Sequence, residues 1–430
     1  MSEKSTRWAL KQATAPRTAR NRPVFSLQLP WWSRGSSHKP NDSGQSEPKE
    51  EISSGITAGV PAKPSFYRPE LDVLRFLAFL AVFICHITLH PAEYYTERHV
   101  PSWLSQVNMT ISTAGSYGVD LFFVLSSYLI TELLIREKED RGSLDVRSFY
   151  IRRILRIWPL YFFFIGVAAV VPFCNPQGQF TARYIIPYLL MLGNWSMVYF
   201  GWPNSVAVPL WSVSVEEQFY LFWPPVVARL TRRGIVIAAV AMIVVANLSR
   251  VCLLMLHETA SQLWGNTFAH LDSMAAGTLI ATLLRGRAPR IATWTRVCII
   301  VVALVAIVAR AHFVAILPPD TLGWGESLLG WPVVAGCCAA IVIAFIGLKV
   351  RMMPLRYLGK ISFGLYVYHL LSIRIAERML NGGSGLFHTT ARVVLSLGLT
   401  IAIAATSYSL LEKPFLTLKN RFAHVASRPV

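Results

Sequence analysis

The sequence predicts an all-α fold: a polytopic integral membrane protein with about ten transmembrane helices in one bundle. Three observations carry this expectation. Of the 430 residues, 53% are hydrophobic and only 15% charged, whereas a soluble domain carries about a quarter charged residues. The apolar residues fall into blocks, most of them long enough to cross a hydrocarbon core of roughly 30 Å. The basic residues lie between those blocks, as the positive-inside bias requires. Lys and Arg number 41 against 23 Asp and Glu, a net charge of +18. In a soluble chain such a charge would point to nucleic acid; here topology accounts for it, and no nucleic-acid partner is expected.

Taken in order, residues 1–65 hold Pro, Ser, Gly and scattered basic residues without a sustained apolar run, the composition of a disordered basic tail. Arg17, Arg20 and Arg22 precede no short apolar region with a small-residue cleavage site, so the tail reads as retained and cytoplasmic rather than as a signal peptide. The membrane domain is expected over 66–415, with 416–430 as a short cytoplasmic tail and no room for a further extracytoplasmic domain. Its apolar stretches run at about 71–89, 113–134, 154–173, 184–200, 208–228, 235–255, 264–284, 293–314, 326–348, 361–380 and 389–411.

Charge decides which of these eleven stretches cross. If 184–200 spanned, the turn Arg229, Arg232, Arg233 and every later basic loop would face the wrong side. If it lies in the interface or re-enters, all of them share one side with both termini, which gives ten spans. Pro187, Gly193 and Asn194 within it agree with a broken element. The expected location is the inner (plasma) membrane. The six cysteines lie in or beside apolar stretches without metal-ligand spacing, so neither a disulfide framework nor a metal site is expected.

Ionisable groups inside such spans cost about 2.5–3.5 kcal/mol each at mid-depth and need a partner or a purpose. The first span carries Arg75 and, eleven positions on, His86, about 16 Å along the axis. The second opens with Asp120 after a glycine, at a depth compatible with His86, and the two are expected to pair. Glu216 and Glu217 stand together in VPLWSVSVEEQFYLFWP. Adjacent helical positions point about 100° apart, so one faces the site and the other a neighbouring helix. Trp211 and Ser212 precede them, and Asp272 follows His270 in a later span.

At the inner end, FYIRRILRIWPLY places Arg152, Arg153 and Arg156 at the entrance of the third span. That is more cation than topology needs, and guanidinium forks match phosphate oxygens. Arg75 and Lys360 extend the cluster. His369 sits at mid-depth in LGKISFGLYVYHLL and is assigned a supporting role.

Read together, Arg75 with ten residues before His86, GVDLFFVLSSYL (118–129), RRILRIWPLY (152–161), WSVSVEEQFYL (211–221), LDSMAAG (271–277), LGKISFGLYVYH (358–369) and SYSLLEKP (407–414) resemble the membrane-bound acyltransferase family 3. The resemblance covers about residues 66–415. Ser127 stands where the family usually has glycine, and His270 where an arginine commonly precedes the aspartate by two. The resemblance implies an integral-membrane O-acyltransferase that takes an acyl group, most simply acetyl, from cytoplasmic acyl-CoA to a hydroxyl of a surface glycan or lipid-linked saccharide. It also implies an essential His86 with Arg75 as its motif partner.

On that reading His86 is the general base, or alternatively a transient acyl carrier, with Asp120, Glu216 or Glu217 orienting it. Arg75, Arg152, Arg153, Arg156 and Lys360 hold the donor; Trp211, Ser212, Asp272 and His369 face the acceptor. The competing class is a transporter or flippase with an intramembrane proton relay, although no inverted repeat is visible.

Overall fold

The computed structural model describes residues 66–88, 100–315, 323–380 and 385–422. The expected tail 1–65 lies outside the described residues, as do 423–430. Every regular element among the described residues is helical.

The order is α1 (Pro69–Thr88), α2 (Ser102–Ser116), α3 (Gly118–Arg141), α4 (Val146–Val170), α5 (Ala182–Leu189), α6 (Gly193–Phe200), α7 (Leu210–Arg229) and α8 (Arg232–Met255). After a short helix at Ala260–Gly265 follow α9 (Leu271–Leu284), α10 (Thr293–Ala315), α11 (Trp331–Phe345), α12 (Met353–Lys360), α13 (Ser362–Met379), α14 (Leu386–Ser407) and α15 (Lys413–Lys419). Eight helical segments are long and apolar enough to cross a membrane, with α2 and α3 counting as one. The expected stretches 208–228 and 361–380 form α7 and α13, of 20 and 18 residues.

Apolar burial does not drive helices together when the alternative solvent is lipid; close backbone approach and interhelical hydrogen bonds do. Two glycines show this. A Cβ at Gly118 would lie 2.6 Å from the carbonyl oxygen of Ala78, so α3 meets α1 backbone to backbone. A Cβ at Gly277 would lie 2.1 Å from Ser127 Oγ and 2.2 Å from the Val124 oxygen, so α9 lies equally close on another side of α3.

Basic side chains tie the loops of one end together. Lys138 Nζ donates to the carbonyls of Val227, Ala228 and Leu230, each at 2.9 Å. Arg68 donates to Gly286 O at 2.9 Å, Arg152 to Phe422 O at 2.8 Å, and the Gly347 amide to Glu70 at 2.9 Å. The start of α1, the end of α3, the start of α4, the α7–α8 turn, the end of α9 and the turn after α11 therefore share one end, the basic end.

Because α4 starts and α7 finishes there, the chain between them begins and ends at the opposite end. The stretch 184–200 is accordingly a pair of short helices. Tyr184 Oη at the start of α5 donates to Phe200 O at the finish of α6, 2.8 Å away, so the two run antiparallel. Their turn is held by Tyr161 Oη on Tyr188 O (2.8 Å) and by the Gly193 amide on Ser214 Oγ (3.3 Å). Pro187 has no amide proton to continue a ladder.

Candidate active site

A cavity of about 170 Å³ opens among α1, α3, α4, α7 and α13. Along α3 it is lined from Glu137, near the basic end, to Phe122, about 22 Å of helix axis. Along α7 it runs from Tyr220 to Ser212. Six cations line it, Arg68, Arg75, Arg152, Arg153, Arg156 and Lys419, against three carboxylates, Asp72, Glu137 and Glu216. The lining is therefore positive.

The sequence pattern places these groups. Arg152, Arg153 and Arg156 occupy the first turns of α4, and Arg152 and Arg156 are one turn apart on one face. Arg152 is committed structurally: besides Phe422 O it contacts Glu137 at 2.9 Å. Arg153 lies over the rings of Phe149 (5.3 Å) and Tyr220 (5.4 Å), and its Nε has no partner among the described residues. Arg75 contacts Asp72 at 3.4 Å. At the mouth, Tyr67 donates to Asp72 at 2.7 Å. Burial, and then the adjacent carboxylate, push its phenol above its ordinary value.

Glu216 and Glu217 separate as their angular offset requires. Glu216 lines the cavity, taking Tyr220 Oη at 2.6 Å and Ser126 Oγ at 3.0 Å. Glu217 turns to α4 and accepts from Trp158 Nε1 at 3.2 Å. At the deep end, Ser212 Oγ and Tyr366 Oη are 2.7 Å apart, and the Phe122 and Tyr366 rings meet edge to face at 5.7 Å.

Behind that closure lies an imidazole pair. His369, one helical turn beyond Tyr366, is fully buried, and its Nε2 is 3.3 Å from His86 Nδ1. Neither ring lines the cavity; Tyr366, whose ring lies 5.7 Å from that of His369, stands between.

The expected His86–Asp120 pair does not form. Asp120 Oδ1 instead takes Ser273 Oγ at 2.9 Å and faces His270 Nδ1 at 3.4 Å. Helix geometry explains this. Gly118 faces α1, and two residues on, the direction has turned about 200°, towards α9. No carboxylate among the described residues hydrogen-bonds His86, so neither Glu216 nor Glu217 orients it.

Asp272 also belongs elsewhere. Its Oδ2 is 2.6 Å from Arg250 Nη2, its Oδ1 accepts the Ser273 amide at 2.9 Å, and it does not line the cavity. Arg250, fully buried on α8, thus supplies a guanidinium to the aspartate that His270 precedes by two residues. Trp211 packs against Trp264 and His270 rather than the cavity. Lys360 lies 5.4 Å from the Tyr408 ring and is likewise absent from the lining. Of the residues expected at the site, the cavity gathers Arg75, Arg152, Arg153, Arg156, Ser212 and Glu216.

Sequence reasoning passed over Tyr220, Tyr366 and Arg250. Arg250 was visible as a lone charge in the apolar run IVVANLSRVCLLM, and Tyr366 as the residue one turn before His369.

The family model described as an acyltransferase domain matches residues 68–409. The chain belongs to the membrane-bound acyltransferase family 3. Relatives in this family include a Bacillus subtilis (strain 168) protein provisionally named peptidoglycan O-acetyltransferase YrhL. It is 28% identical over 381 residues, 82% of this chain and 55% of the relative. The Listeria monocytogenes peptidoglycan O-acetyltransferase OatA is 25% identical over 369 residues, 81% of this chain and 56% of its own. The chain thus spans a little over half the length of these relatives. No solved structure matches it. The matched segment of this acyltransferase-family chain contains α1, α3, α4, α7 and α13 and both imidazoles; of the charged lining residues, Lys419 lies outside it.

Proposed function

We propose that this protein is an integral-membrane O-acetyltransferase whose donor is acyl-CoA, most simply acetyl-CoA, and whose acceptor is a hydroxyl of a cell-surface glycan such as peptidoglycan or of a lipid-linked saccharide. The observation that carries the reading is the cavity: a positive lining at the basic end, a length of about 22 Å along α3, and a deep end closed by two hydroxyls with the imidazole pair behind it. The relatives named as O-acetyltransferases support the same chemistry.

In this proposal the basic end faces the cytoplasm, where acyl-CoA resides, with ten crossings and both termini on that side of the inner membrane. Arg153, Arg156 and Arg75 hold the donor phosphates through guanidinium forks. Glu216, held by Tyr220 and Ser126, sets the charge balance beside Arg75 and Arg153. The pantetheine arm follows the cavity, and the acyl end passes the Phe122–Tyr366 contact to reach His86.

His86 then acts as general base. The acceptor O–H proton moves to the imidazole, the oxygen attacks the thioester carbonyl, the C–S bond breaks, and the leaving thiolate recovers the proton. The acceptor approaches from the end opposite the arginines. A proton relay of the transporter kind would draw on the buried ionisable pairs, and two of these, Asp272–Arg250 and Asp120–His270, lie away from the cavity.

The test compares surface polysaccharide from cells with the gene, without it, and carrying His86→Ala. The reading expects acyl ester on the glycan only in the first. Unchanged ester content in the second or third would overturn it.

A further inference from the structure

Resting on the acyl-transfer reading, we propose that His369 is the positioning residue of His86: together with the Val82 carbonyl it holds the tautomer of that imidazole, and it aims an unprotonated Nε2 at the acceptor hydroxyl.

The assignment follows from which atoms can donate. A backbone carbonyl only accepts. His369 Nδ1 is 2.6 Å from Tyr366 O, so this nitrogen carries the proton and donates. A neutral imidazole has one N–H, which leaves His369 Nε2 as a lone pair. His86 Nδ1 is 2.9 Å from Val82 O, so it too is an N–H donor. The two rings meet through His86 Nδ1 and His369 Nε2 at 3.3 Å, where a donor faces a lone pair. Reversing either ring would set two lone pairs or two protons against each other. The hydrogen-bond chain therefore has one consistent order, with His86 Nδ1–H shared between Val82 O and His369 Nε2 and His369 Nδ1–H donating to the Tyr366 carbonyl. His86 Nε2 remains as the only basic nitrogen of its ring.

Packing holds this order in place. His369 is fully buried, with the Phe79 ring 6.2 Å away edge to face and the Tyr366 ring at 5.7 Å. Its anchor is main chain on its own helix, one turn away, which does not rotate as a side chain can. A neutral ring thus occupies the place that a carboxylate takes in a Ser-His-Asp arrangement. When the acceptor O–H proton arrives on His86 Nε2, the ring becomes imidazolium, and its Nδ1–H contact with His369 becomes a charge-assisted hydrogen bond. The proton then passes from Nε2 to the leaving thiolate, and both rings return to neutral.

The test uses the full chain in proteoliposomes with acetyl-CoA and a glycan acceptor, comparing His369→Gln with His369→Leu. Gln presents a carbonyl oxygen that accepts from His86 Nδ1–H; Leu fills the volume and accepts nothing. The expected result is that His369→Leu lowers kcat about 10²-fold, the scale of losing an orienting partner, with KM for acetyl-CoA unchanged. His369→Gln recovers kcat to within about tenfold of wild type, well inside the range that general-base catalysis contributes. A second readout does not need turnover: ¹⁵N solid-state spectra, with His86 assigned by difference from His86→Ala, should show protonated Nδ1 and bare Nε2 in the wild type and a shifted Nδ1 resonance in His369→Leu, where Val82 O is the remaining acceptor of that proton. Full activity of His369→Leu, equal loss in both variants, or a protonated Nε2 in the resting protein would overturn the proposal. If no acetyl transfer is found even for the wild type, the functional reading fails, while the spectra still decide the pairing.

Discussion

Two polar regions lie within the same bundle, built from the same residue types, and they differ in what is left over. Between α3, α8 and α9, Arg250, Asp272, Asp120, His270 and Ser273 pair with one another and all are buried, the charges matched although Asp120 Oδ2 and Arg250 Nε and Nη1 have no hydrogen-bond partner among the described residues. In the cavity among α1, α3, α4, α7 and α13, the cations outnumber the carboxylates, and the groups line a space rather than fill one. The first region holds helices together; the second has surplus charge directed at something else. A buried charge in a membrane protein is thus a question about partners before it is a statement about function.

The largest effect expected from breaking this comparison is at the imidazole pair, which adjoins the cavity's deep end. His86→Ala should lower the transfer rate by about 10²–10⁴-fold, the contribution of a general base, at unchanged protein level; membrane-normalised acetylation assays measure it. Arg250→Ala should have the opposite character. Removing one partner of a fully buried pair costs about 3–5 kcal/mol, so the variant should lose folded yield and melt early in detergent, while its surviving molecules keep their KM for acetyl-CoA.

Arg153→Met should raise that KM by about 10- to 150-fold, as loss of one charge-assisted contact worth roughly 1.5–3 kcal/mol predicts, and leave kcat and melting temperature close to wild type. A shift in stability without a shift in KM would move Arg153 into the structural region. Asp120→Asn sharpens the division from the other side. Because Asp120 faces His270 and Ser273, kcat per folded molecule should stay within about threefold of wild type, less than the roughly 1 kcal/mol scale of a single hydrogen bond. A large fall in kcat at normal stability would restore Asp120 to the chemistry.

Much of this was legible before any coordinates. The helical stretches, the broken character of 184–200 and the arginine cluster follow from hydropathy, from Pro187 and from the spacing of Arg152, Arg153 and Arg156. Those signals are local, and one chain segment suffices to read them. Partner choice is not local. Depth along a helix allowed His86 to meet Asp120, but the rotation between Gly118 and Asp120 sends the carboxylate to α9 and leaves His86 to α13. The same limit hid Arg250, whose role appears only when α8 lies against α9. Lys360, Trp211 and Asp272 lie near the site in charge pattern or in sequence, and helix direction separates them from it.

The central claim is that the cavity and the imidazole pair serve one transfer between the two ends of the bundle. The direct measurement is to supply acetyl-CoA labelled in its acetyl group to the arginine-bearing side of proteoliposomes containing the purified chain, with the glycan acceptor on the opposite side. The account predicts label bound covalently to the acceptor across the membrane, abolished by His86→Ala and shifted to higher donor concentration by Arg153→Met. Acceptor that crosses unlabelled, or labelling that survives His86→Ala, would contradict it.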